Sequence, residues 1–122
     1  MDTATGLILF GHGARDPRWR EPFDRLLSVV MERHPGPVSL AFLEMMAPDL
    51  QTACRSLAER GAERIVVVPV FLGTGGHIRK DLPLLVESAR EVTGVSVTVV
   101  EAIGEDPQVL MALAEYCLGC VD

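Results

Sequence analysis

The sequence predicts an α/β fold: an open, four-stranded parallel sheet in the flavodoxin-like order 2-1-3-4, with helices on both faces. Three observations predict it. Four short β-rich runs alternate with four amphipathic helical patterns along the 122 residues. Two of those runs are apolar without interruption, as strands buried on both faces are. The loops between elements are short, so successive strands join by right-handed crossovers.

The elements follow in order. The first run, Gly6-Leu7-Ile8-Leu9-Phe10, is wholly apolar. Phe23, Leu26, Leu27, Val30 and Met31 come next, spaced as one face of a helix. His34, before Pro35, reads as a C-terminal capping or surface residue. The second run is Val38 to Leu43, and Leu50, Ala53, Cys54, Leu57 and Ala58 form the second helical stripe. Pro48 stands where a first turn tolerates a missing N–H, and Gly61 reads as the stop. The third run, Ile65 to Val68, meets Pro69, although a central strand should not contain proline. Either the strand ends near Val68 or the chain bulges there. Ile78, Leu82, Leu85, Val86 and Ala89 make the third stripe, with Pro83 read as a first-turn proline and Gly94 as the stop. The fourth run is Val95 to Val100. Leu110, Leu113, Ala114, Cys117 and Leu118 make the last stripe, with Pro107 in its first turn and Asp106 as its cap. Each stripe is expected to lie on the sheet.

Composition bounds the function. Hydrophobic residues are 48% and charged residues 23%, the balance of one globular domain spanning residues 1–122. Seventeen acids against 11 bases leave a net charge of -6, which excludes non-specific binding to nucleic acid or to an anionic membrane surface. No apolar run approaches the roughly 20 residues of a membrane span. Met1 to Thr5 has no basic flank and is not expected to belong to a signal peptide. Three cysteines cannot close a disulfide framework, so a reducing, cytoplasmic setting is expected.

In an open parallel sheet, ligands bind beyond the carboxyl ends of the strands, where strand order reverses. Strand one delivers Gly11-His12-Gly13-Ala14-Arg15 to that edge, strand two delivers Glu44, strand three delivers the loop 73–80, and strand four delivers Glu101. Two imidazoles, His12 and His77, and the Glu44 carboxylate thus converge on one edge. They form a candidate divalent-metal triad whose nitrogen and oxygen donors suit late first-row ions. Arg15, Arg18, Arg20, Arg79 and Lys80 are five of the 11 basic residues and flank the two histidines. Such a rim suits a substrate carrying several carboxylates or phosphates.

Plainer readings stand beside these. A Gly-His-Gly after a strand can be only a tight turn. The glycines 73, 75 and 76 can cradle a phosphate at a helix N-terminus, although neither a P-loop nor a dinucleotide fingerprint is complete. Trp19 can stack on a flat ligand or simply pack. Cys117 and Cys120 have metal or redox spacing, but Cys117 lies on an apolar stripe and a structural role is expected. An enzyme of phosphate esters using His12 beside Arg15 is a separate reading.

The segments Leu9-Phe10-Gly11-His12-Gly13-Ala14-Arg15-Asp16-Pro17, Phe42-Leu43-Glu44 with Pro48, and Val68-Pro69-Val70-Phe71-Leu72-Gly73-Thr74-Gly75-Gly76-His77-Ile78 with Asp81 and Pro83 resemble the class II tetrapyrrole chelatases. The chain is most similar to the small CbiX-type sirohydrochlorin chelatases, over nearly its whole length and with the motifs in family order. The resemblance implies a chelatase-like fold and a lyase that inserts a divalent metal into sirohydrochlorin for cobalamin or siroheme synthesis. The metal is substrate, cobalt first and iron next, and no organic cofactor is implied. It assigns His12, His77 and Glu44 to the metal and to catalysis. Arg15, Arg18, Arg20, Gly75, Gly76, Arg79 and Lys80 are then expected to hold the carboxylate-bearing ring. Ala14 stands where relatives carry serine, so one hydroxyl is absent from that set. Larger relatives carry two such domains face to face, which implies a homodimer here. Nickel insertion for a methanogen cofactor, and a non-catalytic tetrapyrrole or metal carrier, are the alternatives.

Overall fold

The computed structural model describes residues 2–121. Strands β1 (Thr5–Gly11), β2 (Val38–Phe42), β3 (Arg64–Pro69) and β4 (Ser96–Val99) alternate with helices α1 (Glu21–Arg33), α2 (Leu50–Glu59), α3 (Gly76–Thr93) and α4 (Pro107–Gly119). All strand pairs are parallel, in the order β2-β1-β3-β4, as expected. In register, Leu9 of β1 lies between Leu40 and Val68. Among the described residues, no helix is long and apolar enough to cross a membrane.

Side chains alternate across each strand, so the sheet has two distinct faces. One is fully covered: Ile8, Phe10, Ile65, Val67 and Val97 pack with Leu50, Cys54 and Leu57 of α2 and with Ile78, Leu82 and Val86 of α3. The other face is covered only over β1 and β2. There Leu9, Leu40 and Phe42 meet Trp19 and the α1 residues Phe23, Leu27 and Val30. Leu26 and Met31, expected on the same stripe, lie at its margins and are exposed. Trp19 packs on Phe23, with ring centroids 4.8 Å apart, and is half-buried beside Phe42.

Helix α4 departs from expectation. Its stripe does not lie on the sheet; α4 packs mainly against the 3₁₀ turn Ile103–Glu105, and Leu110, Leu113 and Leu118 are exposed. The cap itself is as expected: the Asp106 carboxylate accepts from the N–H groups of Gln108 and Val109, with Pro107 in the first turn.

Two prolines also differ. Pro83 lies inside α3, which begins seven residues earlier at Gly76. Locally it reads as a helix start, but burial of Ile78 and Leu82 extends the helix upstream. An interior proline removes the donor to the carbonyl four residues before it, here Arg79. Pro48 precedes the first turn of α2. Asp49 takes the cap position and accepts from the Thr52 N–H, while the Pro48 carbonyl accepts from the Phe42 N–H. Pro69 ends β3 without a bulge, paired in register with Phe10. Since the Val70 N–H reaches back to the Phe10 carbonyl, the nitrogen of Pro69 faces the β4 side. The last registered pair on that side is Val67 with Val99, so no ladder bond is lost.

Gly94 stops α3 in the left-handed conformation at φ 73°. His34 caps α1, its backbone N–H bonding the Val30 carbonyl and its Nε2 standing 2.8 Å from the Thr5 carbonyl.

Candidate functional site

The carboxyl edge of the sheet collects the candidate residues. His12 immediately follows β1, and Glu44 lies two residues past β2. Their loops are stitched together beyond the strands: the Leu43 N–H donates to the Gly11 carbonyl (2.9 Å) and the Glu44 N–H to the His12 carbonyl (3.1 Å). Gly13 makes this approach possible. At φ 96° it has a backbone that side-chain-bearing residues rarely adopt, and a Cβ there would collide with the Glu44 carbonyl oxygen. Met45, at φ 64°, turns the chain sharply after Glu44. The outcome is that His12 Nε2 stands 4.0 Å from Glu44 Oε1, with both side chains roughly half exposed at 49% and 43%.

His77 shares the edge without joining that pair. It is the second residue of α3, is 71% exposed, and has its Nε2 3.0 Å from Asp81 Oδ2 one turn along the helix. Among the described residues, no three His, Cys, Asp or Glu side chains are grouped closely enough to hold one ion. The expected triad is therefore a pair plus a histidine with its own carboxylate. Asp81 lies outside the expected set of site residues, although its i, i+4 spacing from His77 on a helix places the two side chains together.

The basic rim divides in two. Arg18 is tied to Asp16 (2.8 Å), and this pair holds the Asp16 carboxyl below its usual range and raises the Arg18 guanidinium. Arg20 donates to the Ala47 carbonyl (2.8 Å), pairs with Asp24 (3.2 Å) and lies over the Phe42 ring. It therefore braces the loop that carries Glu44. Arg15, Arg79 and Lys80 are exposed and enter no ion pair among the described residues. Gly75 caps α3 and Gly76 opens it, and a Cβ on either would meet nothing, so the space above them is open. A cleft of about 180 Å³ beside them has Thr74, Arg79 and Glu101 on its wall.

The CbiX family model matches residues 6–117. The chain belongs to the CbiX family. Among CbiX relatives, a sirohydrochlorin cobaltochelatase of Sulfolobus acidocaldarius is 32% identical over 111 residues, which is 90% of this chain and 87% of that one. Another sirohydrochlorin cobaltochelatase, from Methanocaldococcus jannaschii, is 41% identical over 80 residues, 65% of this chain and 56% of the relative. The chain thus spans little more than half of some relatives that it matches. A CbiX protein from Marinobacter aquaeolei VT8 superposes with a TM-score of 0.87 at 32% identity, covering 96% of this chain and 97% of that one. SirB from Bacillus subtilis subspecies spizizenii, solved in complex with cobalt, superposes at 0.77 and 26% identity, over 91% of this chain and 48% of SirB.

Proposed function

We propose that this CbiX chain is a sirohydrochlorin chelatase that inserts cobalt(II), with iron(II) as the next candidate, into the tetrapyrrole. The observation that carries the reading is the His12–Glu44 pair at the carboxyl edge, in a chain whose relatives are named for this reaction. Two ligands each about 2.1 Å from one ion stand at most about 4.2 Å apart. At 4.0 Å the His12 and Glu44 atoms stand near that limit, and a small side-chain rotation would bring them to the roughly 3.4 Å of a tetrahedral pair. The relatives' name favours cobalt, and SirB structures with cobalt and with Fe3+ support both metals as candidates.

Insertion requires the incoming ion to lose its water and the ring to lose two pyrrole N–H protons. Neutral His12 presents a nitrogen donor beside the Glu44 oxygen, a set that late first-row ions accept. Exposure of both side chains leaves the ion's ring side open, so transfer to four pyrrole nitrogens needs no burial step. His77 can accept a departing proton, with Asp81 carrying the charge that His77 then acquires, and Glu44 can take up or relay the other once the ion has passed to the ring. Arg15, Arg79 and Lys80 are free to meet ring carboxylates. Two copies with their carboxyl edges facing would enclose the ring from both sides. The three free thiols support a reducing, cytoplasmic setting.

An anaerobic absorbance time course with sirohydrochlorin and cobalt(II), then iron(II), tests this. Conversion well above the protein-free rate is expected, with His12→Ala and His77→Ala each lowering it by orders of magnitude while the circular dichroism is unchanged. A spectral shift that stops at one ring per site would replace the enzyme with a carrier. Unchanged turnover in both variants would refute the assignment.

A further inference from the structure

We infer that Met45 and Leu72, two exposed apolar residues on either side of His12, seat the flat face of the tetrapyrrole over the His12–Glu44 pair. The inference rests on the chelatase reading above and deepens it by naming what holds the ring's face.

Met45 is unfavourable for the fold in two ways. Its backbone is left-handed at φ 64°, a region that residues with a Cβ rarely enter. Its side chain is 56% exposed, although Met46 beside it packs against the cluster of Leu9, Leu40 and Phe42. Backbone strain of this kind gathers at ligand sites, where it is part of the working geometry. The turn lies directly after Glu44, whose N–H is bonded to the His12 carbonyl, so Met45 is held at the same edge, one residue from the pair.

Leu72 stands across His12 from Met45. The sheet order puts β1, and His12 after it, between β2 and β3, and the loops after those two strands carry Met45 and Leu72. Leu72 is 66% exposed, yet its loop is pinned. The Phe71 ring packs edge-on against Phe10, and the Gly104 N–H donates to the Phe71 carbonyl (3.1 Å). Gly104 also lies so close to the Leu72 backbone that a Cβ on it would clash. An apolar side chain on a rigid loop loses little freedom when a ligand covers it. Next to it, a Cβ on Gly73, Gly75 or Gly76 would meet nothing, which leaves room for a broad ligand.

Apolar side chains on both sides of a nitrogen–oxygen pair share this edge with the exposed cations Arg15, Arg79 and Lys80. That combination fits a ligand that is flat and apolar at its centre and anionic at its periphery. A small phosphate ester has no apolar face with which to cover Met45 and Leu72.

Titration of the full chain with metal-free sirohydrochlorin, read by absorbance, tests this beside the cobalt(II) time course. Met45→Asn removes the apolar side chain and keeps a residue that tolerates the left-handed backbone. Leu72→Gln replaces an apolar side chain with a polar one of similar size. Each should weaken ring binding about tenfold, the effect of roughly half-burying one such side chain. The loss should fall on KM for the ring, while cobalt affinity by calorimetry keeps its wild-type value. Met45→Leu and Leu72→Met should recover the wild-type KM. Equal ring affinity in wild type and both polar variants would overturn the inference and leave the chelatase reading standing. A fall in kcat at constant KM would overturn it too. So would cobalt affinity or melting temperature falling in step with ring affinity, because the side chains would then act through the fold. A wild type that binds the ring without metallating it would end the chelatase reading, and the affinity ratios would still decide the inference. A wild type that binds no ring overturns both.

Discussion

His77 and Asp81 stand one helical turn apart on α3, with Nε2 3.0 Å from Oδ2. A carboxylate at that distance favours the tautomer with its proton on Nε2 and leaves the Nδ1 lone pair free for an ion or a pyrrole proton. Replacing such a partner of a ligating histidine commonly costs ten- to a hundredfold. Asp81→Asn should therefore lower the insertion rate by about tenfold and Asp81→Ala by up to about a hundredfold. Cobalt titration by isothermal calorimetry should show the same ranking, and equal rates in both variants would remove Asp81 from the site.

Gly13→Ala should separate His12 from Glu44. The left-handed backbone and the collision of a new Cβ with the Glu44 carbonyl both oppose it. A non-glycine residue forced into such a conformation costs on the order of 1–3 kcal/mol, so the melting temperature should fall by several degrees. Insertion should fall further than stability explains. Calorimetry and rates measured on the same preparation check this.

Asp49 caps α2 through the Thr52 N–H, and that bond holds its carboxyl below the usual carboxylate range. A depressed folded-state pKa contributes stability above the unfolded value and loses it as pH falls through the folded value. Asp49→Ala should cost about 1 kcal/mol near neutrality. The difference from wild type should shrink in acid, below the ordinary carboxylate range. Urea midpoints at pH 7 and pH 3 decide it, and a constant difference would mean that the charge plays no part.

Cys54 is fully buried in the core, and burial pushes its thiol up to about 11. It should resist a thiol reagent at pH 8 for as long as the chain is folded, whereas Cys120, which is exposed, should react within minutes. Mass spectrometry of partially labelled protein gives the answer. Rapid labelling of Cys54 would mean that α2 opens locally.

Much of the fold was readable in the residues themselves. The stripes of α2 and α3 are buried or half-buried as their spacing predicts, because those helices lie over the covered face of the sheet. Leu26 and Met31 obey the same spacing yet stay exposed, since α1 sits alone on its face and only the middle of its stripe meets the strands. Pro83 lies inside α3 for a related reason: a proline marks a helix start only when no upstream turn is held by burial, and here Ile78 and Leu82 are buried. At the site, Arg18 and Arg20 look in sequence like the other three basic residues. Their partners, Asp16, Asp24 and the Ala47 carbonyl, are assigned by how the loops fold together.

The sequence by itself determined the four parallel strands, their order, and the arrival of His12, Glu44 and His77 at one edge. Those follow from hydrophobic period and crossover handedness, which are properties of each segment and its neighbours. Only the tertiary structure decided that His12 stands beside Glu44 while His77 stands beside Asp81, and that α4 leaves its own sheet. Those outcomes depend on competition among distant groups for the same space, such as the Gly13 backbone against the Glu44 carbonyl and Gly104 against Leu72. The spacing of residues along the chain does not encode that competition.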